Sequence, residues 1–238
     1  MKVVRIVLLA GLLFLPASLS FGQSDLPRGL YGLSCGGLFP AGGFNDHVSQ
    51  NGFGLDFYYG RRIGQAPLFV GLEISVSFYG HVRRQEYLEG IPEVGVDVDT
   101  YNNIGQGLLF IRLQPRRGTV VTFIEGLAGI SDLFTETTIS GRGYESEEIS
   151  SETNLEDFTV TAGAGAGLSV RLDKSRGRDP DRARRGGFLE FKVRYMAGGR
   201  ADYLKKGSIV VEGNQFTFTP ERSATSFVTA QVAFSWFF

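Results

Sequence analysis

The chain has 238 residues, 24 of them basic and 25 acidic, and this near-neutral balance excludes a general binder of nucleic acid. Its single cysteine, Cys35, excludes an internal disulfide, and one cysteine with two distant histidines excludes a zinc centre. Glycine at 33 residues and aromatics at 13% are both abundant, as expected where strands pack closely and present large rings at a boundary.

Residues 1–22 read as a secretory signal peptide. Lys2 and Arg5 precede an uncharged apolar run, and Ser20 and Gly22 place small residues before a cut between Gly22 and Gln23. The run is about ten residues, against the roughly twenty of a spanning helix. One β-barrel domain is then expected over residues 23–238.

That region reads as strand after strand, with no helix, because apolar and polar residues alternate. The predicted strands cover 30–39, 53–61, 68–80, 103–113, 119–130, 158–170, 188–197 and 225–238. In the second, Phe53, Leu55, Phe57 and Tyr59 oppose Asp56 and Tyr58. In the third, Val70, Leu72, Ile74, Val76 and Phe78 oppose Glu73, Ser75, Ser77 and Tyr79. Leu109, Ile111 and Leu113 oppose Arg112, and Ile124 opposes Glu125. The sixth, FTVTAGAGAGLSV, sets Phe158, Val160 and Leu168 against Thr159, Thr161, Gly163, Gly165, Gly167 and Ser169, with Arg171 next. Leu189, Phe191, Val193 and Tyr195 oppose Glu190, Lys192 and Arg194.

Connections alternate between short (61–66, 114–118) and long (40–52, 81–102, 131–157, 198–224), as in an up-and-down meander with both termini at one end. The basic connection 173–187 is a long exception among the short turns. Between Leu133 and Asp157 seven acids accompany one base, Arg142, which reads as a solvated outer loop.

Alternation is symmetric to inversion, so it leaves open which face lies inside. A soluble periplasmic ligand-binding barrel would turn its apolar face inward, and an outer-membrane barrel would turn it to lipid. Three features favour lipid. Asp56, Glu73, Glu125 and Glu190 match Arg112, Arg171, Lys192 and Arg194 in number on the polar face, as charge pairing in a narrow lumen requires. The strands are long enough to cross a bilayer at a tilt. Aromatics gather near strand ends at Phe53, Tyr59, Phe78, Tyr79, Phe234 and Trp236, as in interfacial girdles.

The closing stretch QVAFSWFF resembles the C-terminal assembly signal of bacterial outer-membrane barrels. Gln231 stands at its polar position, Ala233 where glycine is usual, and Trp236 and Phe238 at its aromatic positions. GLSCGGLFPAGGF and DFTVTAGAGAGLSV are similar in style to strands of the small OmpA-like or PorT-like outer membrane protein beta-barrel domains. That resemblance implies an all-β, eight-stranded antiparallel up-and-down transmembrane barrel in the outer membrane, its termini periplasmic. It implies outer-membrane lipid and the barrel-assembly machinery as partners, with an extracellular or envelope protein reached through the loops.

No cofactor, metal or catalytic residue is expected. Gly163, Gly165 and Gly167 lie within a strand, whereas a phosphate loop needs them before a helix. His47 has only adjacent Asp46, and His81 has no identifiable orienting acid or nucleophile, so a barrel enzyme acting on envelope lipid or peptide is the lesser alternative. The acids of the 133–157 loop lack cation-ligand spacing. The expected role is structural, or a loop-mediated surface interaction, with a largely plugged lumen.

Overall fold

A computed structural model describes residues 27–48, 50–87, 95–115, 119–141, 148–172, 186–203, 209–212, 215–218 and 220–238. The signal segment with its cleavage site, and most of the basic connection 173–187, lie outside the described residues.

Seven long strands run in chain order: β1 (Gly29–Ala41), β2 (Gly52–Arg62), β3 (Leu68–Tyr87), β4 (Gly95–Leu113), β5 (Val120–Gly141), β6 (Glu148–Arg171) and β7 (Gly186–Gly198). Four short ones follow, β8 (Arg200–Tyr203), β9 (Ile209–Glu212), β10 (Gln215–Phe218) and β11 (Glu221–Ala224), before the closing strand β12 (Ser226–Phe237). The long strands form a closed antiparallel barrel, ordered β1-β12-β7-β6-β5-β4-β3-β2. Closure is made by β1 against β12, from Leu30↔Phe237 to Ala41↔Ser226, so no edge of the barrel is left unpaired.

Burial is inverted relative to a soluble barrel. Outward positions are apolar and exposed: Leu33 at 65%, Leu109 at 60% and Val160 at 71%. Inward positions are polar and buried, with Glu73, Arg112, Glu190 and Lys192 at no more than 2%. The strands whose faces alternation separates therefore keep them, with the polar one inside.

The strands are longer than the alternation indicates. β3 and β4 pair out to Tyr87↔Gly95, and β5 and β6 out to Ser140↔Glu148, through stretches expected to be loops. The 198–224 connection likewise folds into two ribbons, β8 with β11 and β9 with β10. Backbone pairing continues beyond the apolar belt, where water on both faces removes the need for alternation.

One helical turn was not expected. α1 (Gly43–His47) begins after Gly42, whose φ of 57° favours glycine, and its Phe44 is fully buried.

Candidate functional site

The lumen is built in layers. At the short-turn end, the Phe237 ring meets Phe69 and Phe188 edge-on, with centroids 5.7 and 4.9 Å apart. Leu30 is also buried there. At the long-loop end, Phe44 stands between Tyr79 and Tyr203, each 5.2 Å away, above buried Leu38, Ile104, Leu133 and Phe227. These two apolar layers enclose a polar middle.

The centre of that middle is a continuous ion-pair network. The Arg194 guanidinium grips both oxygens of Glu73, at 2.5 and 2.7 Å, and donates through Nε to Glu125 at 2.5 Å. Arg112 holds the other Glu125 oxygen at 3.0 Å through Nε, and donates to Glu190 through Nη1 at 3.0 and 3.2 Å. Glu190 also accepts from Tyr58 at 3.0 Å, Ser169 at 3.1 Å and Ser235 at 2.7 Å. Asp56 accepts from Ser34 at 2.7 Å and Gln231 at 2.6 Å. The Lys192 ammonium lies 3.7 Å from Asp56, 4.0 Å from Glu73 and 4.6 Å above the Tyr58 ring. Multiple partners are what burial demands, because a carboxylate or guanidinium removed from water costs several kcal/mol unless paired and hydrogen-bonded.

Small inward residues make room for the large ones. A side chain at Gly165 would run into Arg194 Cγ, and one at Gly167 into the Phe123 ring over which Arg112 sits at 4.2 Å. The glycine-rich run of β6 thus serves close packing.

Of the eight residues expected in a lumen charge network, seven gather here, as four carboxylates and three cations. Arg171 stands a layer lower, its guanidinium 4.8 Å above the Phe188 ring, so the centre does not have the four cations its composition suggested. Tyr58, Ser34, Ser169 and Ser235 complete the network and were not singled out. Tyr58 and Ser34 sit on polar faces of their strands, a signal that would have found them.

The remaining site residues fall at the closure. Gln231 and Ala233 point inward and are buried, Trp236 points outward at 42% exposure, and Phe238 rests against Tyr31 and Tyr59. Tyr79, counted among the girdle aromatics, points inward, on the polar face to which alternation assigns it. Gly80, with φ 96°, forms a bulge beside it, and the register shifts between Phe78 and His81.

That bulge also corrects the reading of His81. It faces outward, and its Nε2 lies 2.9 Å from Asp99 Oδ1 while its ring stacks on Tyr101 at 4.6 Å, so an orienting acid is present. No hydroxyl or thiol hydrogen-bonds its ring among the described residues. His47 lies 3.9 Å from Glu221. Among the described residues, no three His, Cys, Asp or Glu side chains are arranged so that they could hold a metal ion.

No family model matches the chain, and no curated protein matches it. Among solved structures, Neisserial surface protein A is 9% identical over 92% of this chain and all of its own, with a TM-score of 0.44. The attachment invasion locus protein Ail of Yersinia pestis is 14% identical over 88% of this chain and 98% of its own, with a TM-score of 0.27. The same protein in complex with the heparin analogue sucrose octasulfate gives 12% identity over the same shares and a TM-score of 0.28. The barrel itself rests on the strand pairing described above.

Proposed function

We propose that this chain is an integral outer-membrane barrel, non-catalytic and with a plugged lumen, that stabilises the envelope or presents its long-loop end to a surface partner. The inverted burial carries the reading. A belt of exposed Leu, Ile, Val and Phe surrounds a buried charged interior, and an apolar belt of that extent in water is a strong drive to aggregate. In a bilayer the same belt is in its proper solvent. A soluble ligand-binding barrel needs the opposite assignment.

The two apolar layers and the paired centre support a plugged lumen, since an eight-stranded barrel is only wide enough to be filled by side chains. The lack of a nucleophile beside His81 among the described residues supports a non-catalytic role. The resemblance of the closing strand supports the barrel-assembly machinery as a partner, with the termini in the periplasm.

The refolded protein is expected to migrate anomalously in detergent gels until boiled, and to float with liposomes. Identical mobility with and without boiling, and no flotation, would remove the membrane reading. Cysteines placed at Glu73, Glu125, Arg112 or Arg194 are expected to resist bulk thiol reagents that label one placed at Glu136. Equal labelling rates would mean an open lumen. Deleting Phe238 is expected to slow insertion by the assembly machinery while leaving inserted barrels almost as stable. Assembly of the truncated chain at the full rate would remove the assembly-signal role.

A further inference from the structure

The glycines of this barrel divide by what a side chain would meet. On the lumen side, a Cβ at Gly163 or Gly167 would strike Met196 or Phe123, so packing forbids a larger residue. On the outer wall, a Cβ at Gly107 would find Ile130 as its nearest neighbour, at 3.9 Å, and one at Gly126 would find nothing within 4 Å. The chain's own packing gives no reason for glycine at Gly107. Glycine weakens a strand through its backbone entropy, and within a strand it commonly marks where a ligand or another backbone comes close.

Beside Gly107 the outer wall is hollow. An apolar groove of about 650 Å³ has Gly107 and Ala128 as its floor, with Phe57, Leu72, Leu109 and Ile130 around it. Sites for small molecules span roughly 300–1,000 Å³. The groove follows one row of paired residues, Tyr31↔Tyr59, Tyr59↔Leu72, Leu72↔Leu109 and Leu109↔Ala128. Tyr31 is near the start of β1 at the short-turn rim, whereas Ala128 lies well into β5, so the row climbs from the rim towards the middle of the belt. At its foot the Phe238 ring lies 6.0 Å from Tyr31 and 6.2 Å from Tyr59. Arg61 is the next outward residue on β2 after Tyr59 and is exposed, and Arg28 stands at the same rim.

We propose that this groove seats one acyl chain of an anionic glycerophospholipid, whose phosphate is met by Arg61. The proposal rests on the outer-membrane reading above. Within hydrocarbon a furrow left empty forfeits dispersion contacts along its lining, and a lipid tail is the apolar filler at hand. Tyr31 and Tyr59 suit the boundary between tail and headgroup, having apolar rings and polar tips. A guanidinium offers a phosphate two parallel donors, and the basic rim complements a negative headgroup. The climb of the groove places the headgroup in the leaflet at the short-turn end.

The test uses the full chain, unfolded to strip bound lipid, refolded in detergent and given equal amounts of phosphatidylglycerol and phosphatidylethanolamine before native mass spectrometry. The wild type is expected to retain one phosphatidylglycerol. Gly107→Leu, which the local space accommodates, is expected to lower that occupancy about tenfold. Arg61→Gln is expected to keep a lipid but lose the preference for phosphatidylglycerol. Val193→Leu, on the opposite wall, is expected to match the wild type.

Heat-modifiable mobility confirms folding of every variant. Equal retention by Gly107→Leu and the wild type overturns the proposal. So does a wild type that floats with liposomes yet keeps no lipid, with the membrane reading left standing. A wild type that fails to float takes both readings down together. A dimer in the wild type that Gly107→Leu disperses would assign the groove to a second copy of this chain, and the lipid proposal would fall.

Discussion

Two clusters of acids occupy this molecule under opposite conditions. In the lumen, Asp56, Glu73, Glu125 and Glu190 are buried and held by Arg112, Lys192, Arg194 and a set of hydroxyls. Above the apolar belt, at the long-loop end, Asp132, Glu156 and Asp157 lie near one another, more open to water, and Asp132 is raised by partial burial and then by its two acidic neighbours. The contrast teaches that burial sets the demand for charge balance. A carboxylate deep in the barrel has protein partners or is not tolerated, whereas one in the crown has water to screen it.

Removing one partner from the lumen is the strongest way to break that contrast. Arg194→Met leaves Glu73 and Glu125 without their shared cation, and is expected to destabilise the barrel by about 3–5 kcal/mol. Urea titration of the protein in lipid vesicles, followed by Trp236 fluorescence, measures it. A loss below about 1 kcal/mol would mean that water reaches the network.

Gly165→Ala tests the same centre by volume instead of charge. Its Cβ would press on Arg194 Cγ, with an expected cost of about 1–3 kcal/mol in the same titration. Gly126→Ala, facing outward into open space, is the matched control and should be neutral or slightly stabilising. Tyr58→Phe is smaller still. It removes one of the hydroxyls bound to Glu190 while keeping the ring beneath Lys192 and Arg112, for about 1–1.5 kcal/mol.

The smallest effect is expected in the crown. Burial, and then Glu156 and Asp157, raise the Asp132 carboxyl from its ordinary 3.8 to about 6. Because the folded value lies above the unfolded one, folding favours the protonated form. The resulting stability is fully present below about pH 3.8 and is lost as pH rises through about 6. Asp132→Asn should therefore flatten the dependence of the thermal midpoint between pH 4 and 7. An unchanged slope would place the carboxyl in open solvent.

Much of the fold was legible because period-two alternation is a local property of the chain. It marked all eight barrel strands and, for all but the ambiguous first one, the two faces, down to Glu73 opposing Leu72 and Arg112 opposing Ile111. The candidate network was legible as a set of charges on the polar faces of their strands, since each follows from its own strand. The long extensions of β3 to β6 were hidden, because outside the belt both faces meet water and backbone pairing leaves no pattern in the side chains. Tyr79 keeps the inward place that alternation assigns it beside Glu73, Ser75 and Ser77, and only its grouping with the girdle aromatics fails. The partner of His81 was hidden because the bulge at Gly80 turns it outward beside Asp99 and Tyr101 of β4, which alternation counted along a single strand cannot register.

By itself, then, the sequence determined that a series of membrane-length alternating strands exists, that they carry a charged or polar face and an apolar one, and that a single cysteine leaves no internal disulfide. Only the tertiary structure decided the direction of those faces and the choice of partners. Arg194 meets Glu73 across 121 positions of chain and Tyr58 meets Glu190 across 132, so no local pattern encodes either pair. Closing the barrel brings distant strands to one narrow axis, and the cost of stranding a charge there selects which side chains meet.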